Sequence, residues 1–121
     1  MTRRDPVRWL DELAAELQAF ADERDWNRFH SPKNLAMALA AEAGELLEEF
    51  QWLTEAESAA PDPDRRARIE AELADVQIYL VRLADRLGTD LPAAVAAKIE
   101  DNRQKYPADH VRGDHRKYDQ Y

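Results

Sequence analysis

Apolar residues recur at three- and four-residue steps through three stretches of the chain, the spacing of helices that bury one face. Leu10, Leu13, Leu17 and Phe20 make the first stripe. Leu35, Leu39, Leu46, Phe50 and Leu53 make the second, and Ile69, Leu73, Val76, Leu80, Leu83 and Leu87 the third. Asp5-Pro6 and Ser31-Pro32 each set a capping side chain before a proline, which tolerates the first turn because its missing N–H would be unpaired there anyway. The pattern predicts helices from Pro6 to about Arg24, from Pro32 to about Ala56, and from about Asp64 to Leu87. Gly88 suits the left-handed residue that ends the third. Asp90 caps a fourth helix that runs to about Lys105 and stops before Pro107. Residues 25–31 and the two-proline stretch 57–64 are connections. Residues 107–121 are a polar tail with little periodicity. The fold class expected is all-α, a helical bundle of four main helices in a single domain spanning residues 1–121.

Composition agrees with that class. Of 121 residues, 45% are hydrophobic, 35% are charged and only three are glycine. Cysteine is absent, which excludes disulfides, thiolate zinc sites and thiol nucleophiles. A net charge of −8 argues against binding polymeric nucleic acid. The segment MTRRDPVRWLDEL has no apolar core of a signal peptide, and no run reaches the roughly 18 apolar residues of a membrane span. The chain is expected to be cytoplasmic, with no membrane partner.

The second and third helices carry acids where burial is expected. Glu42 and Glu45 lie in LAMALAAEAGELLEEFQWL, and Glu72 and Asp75 in ELADVQIYL. Acids three residues apart on a helix are neighbours, with Cβ atoms roughly 5–6 Å apart. Two such pairs on two packed helices would form a carboxylate nest suited to a hard divalent cation, Mg²⁺ or else Mn²⁺. A water activated by Glu49 or Glu45 would then be the nucleophile. Gly44, between the first pair, suggests close approach by a neighbouring helix or ligand. The bland alternative is that Glu-rich helices produce such pairs by chance on a solvated face. Two pairs, each beside the apolar face of its own helix, weigh against chance.

Lys98, Asn102, Arg103 and Lys105 near the end of the fourth helix could meet phosphate and sugar, or could simply complement the helix dipole. Trp26, Phe29 and His30 lie in the first connection. Taken alone, they read as aromatics plugging the end of a bundle and a surface histidine.

The segments FADERDWNRFHSPKNL (20–35), EAGELLEEFQW (42–52), ELADVQIYLVRLA (72–84) and DLPAAVAAKIEDNRQKYP (90–107) together resemble the MazG-like all-α nucleotide pyrophosphohydrolases, and within them the small dCTP pyrophosphatase type. The resemblance implies a helical homo-oligomer, a dimer or a dimer of dimers. It implies Mg²⁺ at Glu42, Glu45, Glu72 and Asp75, and cleavage of a (deoxy)nucleoside triphosphate between the α and β phosphates. It implies substrate contact by Trp26, His30, Trp52, Tyr79, Lys98, Asn102 and Tyr106. Trp52 would be contributed across a subunit interface. Vertebrate members of the type carry a first-helix histidine beside the base, and Leu17 stands in that place here, which leaves the choice of base open. Two other readings stand beside this one: an enzyme acting on phosphoribosyl-ATP, and a non-catalytic helical interaction module.

Overall fold

Four long helices each begin at a side-chain cap followed within two residues by proline. The computed structural model describes residues 5–116 and 118–120, with the side chain of 118 excepted. Asp5 Oδ1 accepts from the N–H groups of Val7 and Arg8 and opens α1 (Pro6–Glu23). Ser31 Oγ accepts from Asn34 N at 3.1 Å and opens α2 (Pro32–Glu48). Thr54 opens a short α3 (Glu55–Ala59). Asp62 Oδ1 accepts from Arg65 N at 2.9 Å and opens α4 (Pro63–Arg86), one residue before the expected start. Asp90 caps α5 (Leu91–Lys105) through Ala93 N at 3.1 Å. A short α6 (Ala108–Val111) follows Pro107, so the expected tail is partly helical. Its Lys117 and Tyr121, and residues 1–4 at the other terminus, lie outside the described residues. Among the described residues there is no strand, and no helix is long and apolar enough to cross a membrane.

Two expected boundaries fail for a local reason. α2 stops at Glu48 rather than near Ala56, and residues expected as its last turn and as loop form α3 instead. Thr54 and Glu57 satisfy each other's backbone N–H groups at 3.1 and 2.9 Å, a reciprocal cap that starts a new helix. Elsewhere the termini fall as expected. Gly88 adopts φ 67° directly after Leu87, the geometry that the end of α4 requires.

The chain divides into two compact units, one reaching Thr89 and one beginning at Asp90. In the larger unit α4 is the central element, packed on both α2 and α1. Its core is thin. Among the described residues only Ala21, Leu35, Ile69 and Val81 are buried apolar side chains. Leu73 and Leu87, expected on the core face of α4, are more than half exposed, as are Leu47 and Met37 on α2. One charged residue, Arg82 on α4, is buried to 2% exposure.

Candidate active site

Packing of α2 on α4 brings three of the expected acids to one point. Carboxylate oxygens of Glu42, Glu45 and Glu72 all lie within 4.8 Å of one another. Glu42 Oε2 and Glu72 Oε2 are buried and have no hydrogen-bond partner among the described residues. Burial pushes the Glu42 carboxyl up to about 7, helped by a shared proton with Glu45 or Glu72 and by the charges of Glu45 and Asp75. Glu72 is raised too, by burial first and by the charges of Glu45 and Asp75, against a hydrogen bond from Glu42 that works the other way. Asp75 acts on the group through its charge but lies outside the set of converging oxygens. Two orphaned buried oxygens in an all-carboxylate donor set fit a hard divalent cation.

Glu49 takes a different place. It caps the end of α2, and its carboxylate pairs with Arg65 at 3.2 Å and Arg68 at 3.1 Å while its carbonyl accepts from Arg65 at 2.7 Å. Its oxygens clamp α2 to the start of α4 instead of joining the other acids. Gly44 has nothing within 4 Å of where a Cβ would stand, so the close neighbour expected from its position is not supplied by the described chain.

The larger unit also holds a cavity of about 330 Å³, within the size range of small-ligand sites. Trp26, His30 and Tyr79 line it, with Leu13, Leu17, Phe20, Ile78 and Arg82. The residue at the position of the missing first-helix histidine, Leu17, is therefore part of this wall. The aromatics are arranged edge to face, Phe20 on Trp26 at 5.7 Å and Trp26 on His30 at 6.3 Å. Tyr79 follows Asp75 by four residues on α4, a rise of about 6 Å. One rigid helix thus carries both the acidic end and the aromatic end of the larger unit's site.

The remaining expected residues are placed as follows. Trp52 lies in the turn after α2 and is 87% exposed. Lys98, Asn102 and Arg103 are exposed on α5, in the smaller unit, and Tyr106 caps that helix. There Lys98 and Lys105 both reach Asp101, at 3.5 and 3.1 Å, and Arg103 pairs with Glu100 at 3.1 Å.

Arg82 went unnoticed in the sequence. Its signal was the one that exposed the acids, a charge on an apolar helix face, here in YLVRLA.

This all-α chain, which converges carboxylates from two packed helices and holds an aromatic-lined cavity, belongs to the MazG-like family, which residues 37–120 match. More particularly, it is 48% identical over 115 residues to dCTP pyrophosphatase 1 of Rattus norvegicus and 47% identical over 115 residues to that of Homo sapiens. Each alignment spans 93% of this chain and 68% of the relative. A solved pyrophosphatase from Archaeoglobus fulgidus superposes with a TM-score of 0.77 at 38% identity, over 88% of this chain and 98% of that one.

Proposed function

We propose that this chain is a Mg²⁺-dependent nucleoside triphosphate pyrophosphohydrolase that cleaves dCTP, or a modified dCTP, to the monophosphate and pyrophosphate, and so removes unwanted nucleotides from the pool. The observation that carries the reading is the convergence of Glu42, Glu45 and Glu72, two of them with buried unpaired oxygens. The names of the relatives supply the substrate.

Glu42, Glu45, Glu72 and Asp75 would hold the ion, with Mn²⁺ a possible replacement for Mg²⁺. A bound ion supplies positive charge against the phosphate oxygens as negative charge builds on them. Glu45, the exposed member of the converging three, holds the attacking water and takes its proton. Glu49, although a neighbour in sequence, is committed to Arg65 and Arg68 and serves by fixing α2 against α4. The cavity of Trp26, His30 and Tyr79 encloses the base. The family resemblance assigns Lys98 and Asn102 to phosphate and sugar and Tyr106 to the base, and Arg103 is a further cation offered to phosphate by the charge pattern of its helix.

The test is a panel of deoxy- and ribonucleoside triphosphates and phosphoribosyl-ATP with Mg²⁺, both products being identified. Release of pyrophosphate with dCMP from dCTP is expected. Release of orthophosphate instead, or turnover of phosphoribosyl-ATP alone, would overturn the assignment.

The working form is proposed to be a homo-oligomer, a dimer or tetramer. Support comes from an apolar core of four residues among those described and from Trp52, Leu47 and Met37, exposed to 87%, 60% and 54%. Apolar exposure on that scale is what a second copy covers. Sedimentation is expected to give a mass at least twice that of the 13.9 kDa chain. Trp52→Ala is then expected to weaken association or substrate binding while helix content is kept. A monomer at micromolar concentration with full activity would refute the oligomer.

A further inference from the structure

Arg82 is held by acceptors alone. Its Nε donates to His30 Nδ1 at 3.1 Å, its Nη2 to Asn27 Oδ1 at 2.8 Å, and its Nη1 to Gln18 Oε1. The amide nitrogens of Gln18 and Asn27 donate to Asp22 Oδ1 at 2.7 and 2.6 Å, and Gln18 Nε2 donates also to Asn27 Oδ1 at 2.9 Å. A guanidinium can only donate and a carboxylate can only accept. Flipping either amide would set N–H against guanidinium and oxygen against carboxylate. The network therefore has one orientation, and His30 Nδ1 must present a lone pair.

We infer that Arg82 is a positioning residue for base selection: it fixes His30 as the tautomer with its proton on Nε2, so that the cavity wall offers a hydrogen-bond donor to an acceptor on the base. The inference rests on the reading that this cavity takes the base. His30 lines the cavity, and its Nε2 has no hydrogen bond among the described residues. Nor is Nε2 sealed in, since among the described residues the buried unpartnered side-chain atoms are Glu42 Oε2 and Glu72 Oε2. Cytosine carries acceptors at O2 and N3, whereas N3 of uracil and thymine carries a proton. A fixed N–H donor on the wall favours the first over the others where it meets N3.

The charges around the ring favour the same state. Burial, and then the guanidinium groups of Arg82 and Arg86, hold His30 below its ordinary value. Arg86 Nε donates to the His30 carbonyl at 3.2 Å. Asp85 lies 3.8 Å from Arg82, Asp22 sits behind the two amides, and Glu16 lines the cavity. Asp85 and Asp22 are thus drawn to Arg82 and its amide partners rather than to the imidazole.

Long-range ¹H–¹⁵N spectra of the full chain, with His30 assigned through His30→Gln, test this without substrate. Wild type at neutral pH is expected to show Nε2 protonated and Nδ1 not. Arg82→Met is expected to lose the single tautomer, to raise the dCTP KM about tenfold with a smaller effect on kcat, and to lower the preference for dCTP over dTTP. Arg82→Lys, which restores one donor to Nδ1, is expected to recover much of both. A proton on Nδ1 or a charged ring in wild type would overturn the inference whether or not Arg82→Met folds. So would a folded Arg82→Met with unchanged KM and preference. Wild type that turns over no nucleoside triphosphate would instead overturn the functional reading, and base selection with it, leaving the tautomer to the spectrum.

Discussion

Glu72→Gln and Glu45→Ala are each expected to lower pyrophosphate release about 10²–10³-fold, the loss typical when one preorganised electrostatic group is removed from a site of developing charge. Neither should unfold the protein. Glu72 Oε2 has no partner to lose, and its carboxyl is raised because burial disfavours its charge. Gln keeps the shape and removes that charge, so the metal-free melting midpoint should stay level or rise. Glu12→Gln is the control, since Glu12 forms only an exposed pair with Arg8 on α1 and should change activity little. Helix content by circular dichroism and product release under Mg²⁺ check both halves. Pyrophosphate release that survives Glu72→Gln or Glu45→Ala would detach the acids from the chemistry. Loss of activity together with loss of helix would mean that the acids hold the fold.

The four long helices were legible because their signals are local: a capping side chain, a proline in the first turn, and an apolar stripe. The break at Glu49 was equally local and was missed. Thr54 and Glu57 form a capping box in plain sequence, but the apolar spacing through Phe50 and Leu53 suggested that α2 continued. Exposure was not legible. Leu73 and Leu87 fit the helical period of a core face, yet they stand in solvent in the single chain, because period shows which face is apolar and not what covers it. The acids could be found because a carboxylate on an apolar face is expensive wherever it occurs. Arg82 obeys the same rule, but what makes it informative lies far away in sequence. Gln18 is 64 residues from it, Asn27 55 and His30 52. The sense of those hydrogen bonds, and hence the tautomer of His30, exists only after α1 and the 25–31 connection have docked on α4.

Magnesium is expected to raise the melting midpoint by about 10 °C at roughly one hundred times its dissociation constant near pH 8, and by far less near pH 5. The reason is competition with protons for Glu42 and Glu72. Glu42 titrates near 7 in the native chain against 4.5 ordinarily. Between those values the native state keeps a proton that the unfolded chain has released. Metal-free stability from this group is therefore lost as pH climbs from 4.5 through 7, and it levels off above. Glu72 is raised and adds in the same direction. His30 acts oppositely. Its value lies below 6.5, so it disfavours the native state at acid pH, and that penalty disappears as pH rises through 6.5. The raw midpoint mixes these slopes, but the difference between wild type and Glu42→Gln cancels the His30 contribution. That difference should show metal-free Glu42→Gln gaining on wild type as pH rises toward 8, because Gln has no proton to give up. Magnesium should erase the gain, since a cation supports the charged carboxylate of wild type and finds one ligand fewer in the variant. Equal magnesium shifts for the two proteins at every pH would place the ion elsewhere. A variant that gains nothing on wild type at pH 8 would mean that Glu42 is ionised without strain, and that the carboxylates lie farther apart in solution than 4.8 Å.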